Sequence, residues 1–326
     1  MARTRYASDP GLIARMGATM FLLGLVLTGF VLALYFVLDY YGSRHGGGGG
    51  GAGIIVFAAL IGVAVAFGGY YWSDKIALNT ARARVVTPEQ APNLHGMIDR
   101  ICALADMPKP RVAISPVAMP NAFATGRSSK VAVICVTQGL IDKLEPDELE
   151  GVLAHEMSHV AHKDVAVMTV ASFLGIVAGL LVRFAFYSEL FGGGGRGRGG
   201  NNNNQNALPV VFIVMLVGIV VYAISFLLIR LLSRYRELSA DRSGALLTGN
   251  PSKLASALVK VTGDMARIPT KDLRQAEPLN AFYFAPALSA KQGQMALSNL
   301  FSTHPSLEKR LAQLDKISKQ LGRAES

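Results

Sequence analysis

Four long stretches of this chain carry almost no charge, and they set its organisation before any motif is read. Residues 16–38 and 207–229 are uncharged over 23 positions each, and residues 54–72 over 19. A further run, 165–182, is followed by Arg183 and then by Phe184, Ala185, Phe186 and Tyr187. A helix rises about 1.5 Å per residue, so about 20 apolar residues cross the hydrocarbon core of a bilayer. The pattern predicts four transmembrane helices, over about 16–38, 54–72, 165–187 and 207–230. Arg183 either snorkels to the interface or faces a polar interior. A re-entrant hairpin is the alternative for the last two runs. The first run is longer than the roughly 7–15 apolar residues of a cleaved signal peptide, so it is expected to stay as an anchor.

The polar segments between these runs show other periodicities. A helix is expected from about 88 to 105, ended by the proline-rich stretch 107–110. Residues 111–114, 121–125 and 130–137 read as short strands, with a turn at Gly126 after the second. Glu145-Pro146-Asp147-Glu148 opens another helix, with proline in its first turn and acids at its positive end. That helix is expected to run to about Asp164. A last helix begins near Pro305 and carries Leu307, Leu311 and Leu314 on one face.

Composition agrees with a membrane protein. Of 326 residues, 51% are hydrophobic and 17% charged, against about 25% charged in soluble domains. Arg3, Arg5 and Arg15 precede the first run, and Arg82, Arg84, Arg230, Arg234 and Arg236 follow the second and fourth. The two intervening connectors hold only Arg44 and His45, and Arg196 and Arg198. The positive-inside rule then puts both termini and residues 73–164 in the cytoplasm. The net charge of +10 suits contact with the anionic lipid bilayer. The Arg-Gly pairs near Arg196 read as a solvated linker rather than an RNA-binding tract, and no nucleic-acid partner is expected. The glycine run after His45 and the Gly/Asn/Arg stretch 192–206 are expected to be flexible loops. Cys102 and Cys135 form no paired metal motif and are expected to pack, one on a helix and one in an apolar strand.

The chemistry lies between the second and third runs, at His155-Glu156-Met157-Ser158-His159. Two histidines four apart project from one helix face, so both imidazoles can reach one ion. Glu156 is rotated by about 100° from His155 and is placed as a general base beside the metal rather than as a ligand. A catalytic zinc takes three protein ligands and keeps a fourth position open. His162 lies about 10 Å further along the axis than His155, too far to share the ion. Val165 stands where a longer zincin motif has a third histidine. Glu237 is the best candidate, because runs three and four would return it to the membrane face from which the motif helix departs. Asp241, one turn later, could accept a hydrogen bond from the second nitrogen of a metal-bound histidine. The alternative is that both acids merely pair with neighbouring arginines.

These features together resemble the HtpX-type family of membrane zinc metalloproteases, relatives of the CAAX prenyl proteases. The resemblance rests on the four runs in this order and on Pro120-Asn121-Ala122-Phe123-Ala124-Thr125-Gly126. It also rests on the histidine motif with Asp164, on Arg236-Glu237-Leu238-Ser239-Ala240-Asp241, and on Ser302-Thr303-His304-Pro305-Ser306. It implies an α+β, mostly helical zincin-like (gluzincin) domain with a small sheet, attached to four transmembrane helices. One zinc per subunit would be held by His155, His159 and Glu237, with Glu156 catalytic and Asp241 in support. Asn121, Ala122, Phe123 and Ala124 would form an edge strand beside the cleft, able to take a substrate as an added strand. Arg310 fits an arginine of the family, whereas Ser306 replaces a second proline found in many relatives. His304 either stabilises the oxyanion or substrate, or simply starts the last helix.

The expected organisation is an N-terminal membrane hairpin (1–75), a protease part with the motif helix (76–164), a second hairpin (165–232) and a second protease part (233–326). The function implied by resemblance is cleavage of misfolded or damaged membrane proteins at the cytoplasmic face of a bacterial inner membrane, under stress. A prenyl-protein-processing protease has more hydrophobic runs than four. An intramembrane protease would not flank its motif with Glu145, Asp147, Glu148, Glu150, Lys163 and Asp164. A scaffold with a structural zinc would have no need of Glu156.

Overall fold

The computed structural model describes residues 10–45, 50–165, 167–169, 176, 179, 207–267 and 304–324. In chain order the elements are α1 (Pro10–His45), α2 (Gly50–Thr80), β1 (Arg84–Val85), α3 (Pro92–Ala105), β2 (Arg111–Ser115), β3 (Ala122–Thr125), β4 (Val133–Thr137), α4 (Gln138–Lys143), α5 (Pro146–Ala161), α6 (Ala207–Thr248), α7 (Pro251–Arg267) and α8 (Leu307–Ala324). The chain divides into two units, one of Met1–Arg15, Tyr70–Val167 and Arg230–Ser326, the other of Met16–Gly69 and Met168–Ile229.

The first unit is built on a small mixed sheet in the order β1-β2-β4-β3. β2 and β4 run parallel, while β1 and β3 pair antiparallel with their neighbours. β4 is apolar at four of its five positions and every residue is buried, as a strand covered on both faces should be. Its residues alternate: Ile134 and Val136 face a core shared with α3, α5, α7 and α8, whereas Val133 and Cys135 pack with Phe123 on Ala77 and Ala81. Both cysteines are buried. Burial pushes the Cys102 thiol up to about 11 and the Cys135 thiol to about 12, so both stay protonated and inert, filling space.

α5 shows how local chemistry sets an element. Glu145 and Glu148 form a reciprocal capping box and Pro146 occupies the first turn, so the start is fixed. Leu149, Val152, Leu153 and Met157 then line its core side. Fully burying such a side chain stabilises by about 1.5–3 kcal/mol. The helix ends at Ala161 rather than near Asp164, because Lys163 turns into the left-handed region at φ 56°. α3 likewise starts at Pro92 rather than near 88, since residues 88–90 form a turn.

The second unit is drawn from the uncharged runs. Among the described residues, two helical stretches are long and apolar enough to cross a membrane, Ile13–Phe30 and Met215–Thr248. They match the first and fourth expected spans. The uncharged part of the latter stops at Ile229, so residues from Arg230 onward read as lying outside the hydrocarbon. Their surfaces keep large apolar groups exposed, Phe21 at 67% and Leu216 at 59%, which lipid would cover. The second expected span lies within α2, which begins at Gly50, inside the glycine run. The third span falls almost wholly outside the described residues, as do residues 46–49 and 192–206, expected above to be flexible.

α5 and α7 are joined by Glu148, whose carboxylate accepts from Ser256 Oγ at 2.6 Å and Lys260 Nζ at 2.8 Å. Burial alone would raise its pKa, but Lys260, Ser256 and the Glu145 N–H outweigh it and hold the group below the ordinary carboxylate value. A depressed folded-state pKa stabilises above the unfolded value and is lost as pH falls through the folded one. Glu148→Gln is therefore expected to cost about 1–2 kcal/mol at neutral pH. In thermal melts the gap to wild type should close as pH drops below about 4; a gap independent of pH would contradict the ionic role.

Candidate metal centre

α5 presents His155 and His159 one turn apart on its inner side. α6 crosses it closely, because Gly244 lacks a side chain: a Cβ there would stand 2.9 Å from the His155 nitrogen. That approach brings Glu237, two turns earlier on α6, onto the histidines. One ligand atom from each of His155, His159 and Glu237 lies within 4.8 Å of the others. His155 Nε2 and His159 Nε2 are 3.3 Å apart. Each faces an oxygen of Glu237, at 3.7 Å and 3.5 Å respectively.

The partners of the other ring nitrogens decide what these distances mean. His159 Nδ1 is 2.6 Å from Asp164 Oδ2, and His155 Nδ1 is 2.9 Å from Asp241 Oδ1. When each Nδ1–H donates to its carboxylate, each Nε2 turns a bare lone pair inward. Two lone pairs and a carboxylate then converge on one point, an arrangement that a cation at its centre satisfies. A tetrahedral zinc with bonds of about 2.0–2.2 Å has neighbouring ligand atoms about 3.3–3.6 Å apart. The separations found fit that ion, and two imidazoles with one carboxylate suit its chemistry.

The supporting carboxylates are anchored in turn. Arg310 of α8, 1% exposed, grips Asp241 through two hydrogen bonds of 2.6 and 2.7 Å. Arg236 Nε lies 2.9 Å from Asp164 Oδ2. Burial would raise the pKa of both acids, but Arg310 holds Asp241, and Arg236 holds Asp164, below the ordinary value. Glu237 is also pushed up by burial, yet His304, His159 and His155 bring it well below. His304, just ahead of α8, places Nδ1 3.0 Å from Glu237 Oε2. Glu156 differs. It is 4% exposed, and burial lifts its pKa to about 7 against the opposing pull of His159. Its Oε2 accepts the Ala124 N–H of β3 at 3.0 Å.

All the residues singled out by the sequence thus meet in one place: His155, Glu156 and His159 on α5, Glu237 and Asp241 on α6, and His304 before α8. The edge strand joins them through Ala124, while Ala122 and Phe123 pair with Val136 and Cys135 of β4. Asn121 is held by Thr137, whose Oγ1 accepts its N–H at 2.8 Å. Sequence reasoning named Asp164, Arg236 and Arg310 through the resemblance but gave none of them its partner in the site. Asp164 follows the helix end and turns back to His159, and Arg310 is 69 positions from Asp241, so no periodicity links them.

A family model described as peptidase family M48 matches residues 88–318. The chain is 58% identical over 323 residues to Protease HtpX homolog 1 of Streptomyces coelicolor, covering 99% of this chain and 98% of that one. It is 49% identical over 319 residues to Protease HtpX homolog 2 of Methanosarcina mazei, covering 98% and 99%. A crystal structure of S. mikatae Ste24p aligns over 94% of this chain and 67% of that chain, at a TM-score of 0.47 and 18% identity.

With Asp241 Oδ1 2.9 Å from His155 Nδ1, Asp241→Asn is expected to weaken zinc binding by about 10–100-fold. Competition with a chromogenic chelator would measure it. Unchanged affinity would show that Asp241 serves only to bury Arg310.

Proposed function

The chain belongs to peptidase family M48, and from that membership we propose that it is a membrane-bound zinc endopeptidase using His155, His159 and Glu237 as ligands and Glu156 as general base. The observation that carries this reading is the convergence of three lone-pair ligands within 4.8 Å, beside a carboxylate that burial keeps near neutrality. Zinc bound there would polarise the scissile carbonyl and lower the pKa of a water molecule.

The remaining steps belong to the chain's own groups. Glu156, buried beside the histidines, takes a proton from the attacking water and later gives it to the leaving amine. The Ala124 N–H on its Oε2 fixes the direction in which the free oxygen points. His304, with Nδ1 3.0 Å from Glu237 Oε2, holds that carboxylate in place. β3 lies at the edge of the sheet, and a substrate segment can join it as a further strand. Affinity then comes from the backbone, and cleavage tolerates many sequences.

The substrates that suit such a site are unfolded segments of misfolded or damaged membrane proteins. The long apolar helices support work at a membrane. The basic residues gathered after the second and fourth runs support a cytoplasmic active site, at the inner membrane if the cell is bacterial. Release of such damage under stress is the role this reading implies.

The test is a comparison of zinc-loaded wild type with Glu156→Gln on an unfolded membrane protein. The variant should keep its zinc and lose about 10²–10⁴-fold in rate. Equal rates in the two proteins would overturn the assignment of the base.

A further inference from the structure

The uncharged runs adjoin residues of the first unit. The first run follows directly on Arg15, the second closes with Tyr70, Tyr71 and Trp72, and the fourth gives way to Arg230. Tyr, Trp and Arg are the residues that settle at the headgroup level of a bilayer. Tyr71 and Trp72 are 42% and 55% exposed.

These boundary residues are tied to the walls of the metal centre. The Arg15 guanidinium lies 5.1 Å from the centre of the Tyr235 ring, two positions before Glu237. Arg127, two positions past β3, sits 4.8 Å over the Tyr71 ring. It donates to the Tyr71 carbonyl at 3.4 Å, and its own carbonyl accepts from Tyr70 Oη at 3.1 Å. Gly126, at φ 120°, makes the turn between β3 and Arg127, with Ala132 so close that a Cβ would stand 2.8 Å away. The end of the edge strand is therefore moored to the aromatic boundary through a turn with no slack.

α6 supplies the scale. It is one unbroken helix through Arg230 and Glu237, seven residues apart, or about 10 Å along the axis. The headgroup layer on each side of a bilayer is about 5–7 Å thick, and an average helix tilt of about 20° shortens the height by less than 1 Å. A helix crossing at that tilt would carry Glu237 only a few ångströms beyond the headgroups. An extended chain covers about 3.3 Å per residue, so about three residues of substrate reach that height and a few more turn it alongside β3.

We infer that this protein chooses where to cut by height above the bilayer: it cleaves membrane-tethered chains within about ten residues of the point where they leave the hydrocarbon, whatever sequence lies there. The inference rests on the peptidase reading above and adds to it the position of the cut. Backbone recognition by β3 leaves sequence open, and the fixed height replaces it as the selecting variable.

The experiment uses the full-length, zinc-loaded protein in anionic liposomes. Substrates carry one apolar membrane segment followed by a flexible polar tail of about 40 residues, and the order of blocks within the tail is permuted across the series. Unfolded casein added outside serves as a soluble substrate. Mass spectrometry is expected to find the cuts within about ten residues of the membrane segment in every member, in whichever block lies there. Cuts that follow one block outward along the tail at undiminished rate would overturn the height rule and leave the peptidase reading standing. So would cleavage of casein with none of the tethered series. Failure to cut either would overturn the peptidase reading and the rule together. Trp72, the only tryptophan of the chain, checks the boundary independently. A nitroxide lipid labelled near the headgroup should quench it more than one labelled near the acyl-chain end, and the reverse order would remove the boundary on which the height is measured.

Discussion

A carboxylate taken out of water without a cation or several donors costs many kcal/mol, and the metal centre buries four of them. Glu156, Asp164, Glu237 and Asp241 are each 6% exposed or less. The arrangement of α5, α6 and the start of α8 follows from the need to answer each charge. Arg310 answers Asp241, Arg236 answers Asp164, and His304 answers Glu237. Each of the first two acids also faces the outer nitrogen of a histidine. The surplus negative charge and the inward lone pairs together make a site for a divalent cation. Glu156 has only the Ala124 N–H among the bonds described for it, and its carboxyl is accordingly the one driven up to about 7. Structural acids kept ionised around one acid held near neutrality is the division of labour expected at a hydrolytic site.

The parts of this arrangement that repeat along one helix were legible in the sequence. His155 and His159 are one turn apart on α5, and Glu237 and Asp241 one turn apart on α6, so their faces follow from spacing. The strands around 111–115, 122–125 and 133–137 were legible from β-branched and apolar runs. What spacing does not carry is contact across long separations. The Arg310–Asp241 pair joins two helices across 69 positions, and the Arg236–Asp164 pair spans the whole third and fourth runs. The early end of α5 depends on Lys163 adopting φ 56°, a conformation that lysine's identity does not announce. β1, with only two residues, is too short to show a pattern; it exists because Arg84 and Val85 meet Ile114 and Ala113 of β2.

One helix, Ala207–Thr248, carries an uncharged run and then a ligand of the metal centre. Sequence position along that helix is thereby a measure of distance from the apolar run, and the aromatic residues closing the second run hold the turn after β3 by direct contact. The small sheet contributes a strand edge rather than a pocket.

The central claim is that two imidazoles and one carboxylate of this chain hold a single ion. X-ray absorption at the zinc edge of the loaded, full-length protein addresses it most directly. Two imidazole nitrogens and a carboxylate oxygen at about 2.0–2.2 Å are expected around one zinc per chain, with no sulfur near 2.3 Å. A coordination shell containing sulfur, or one with fewer than two imidazoles, would contradict the assignment of His155, His159 and Glu237 as the metal site.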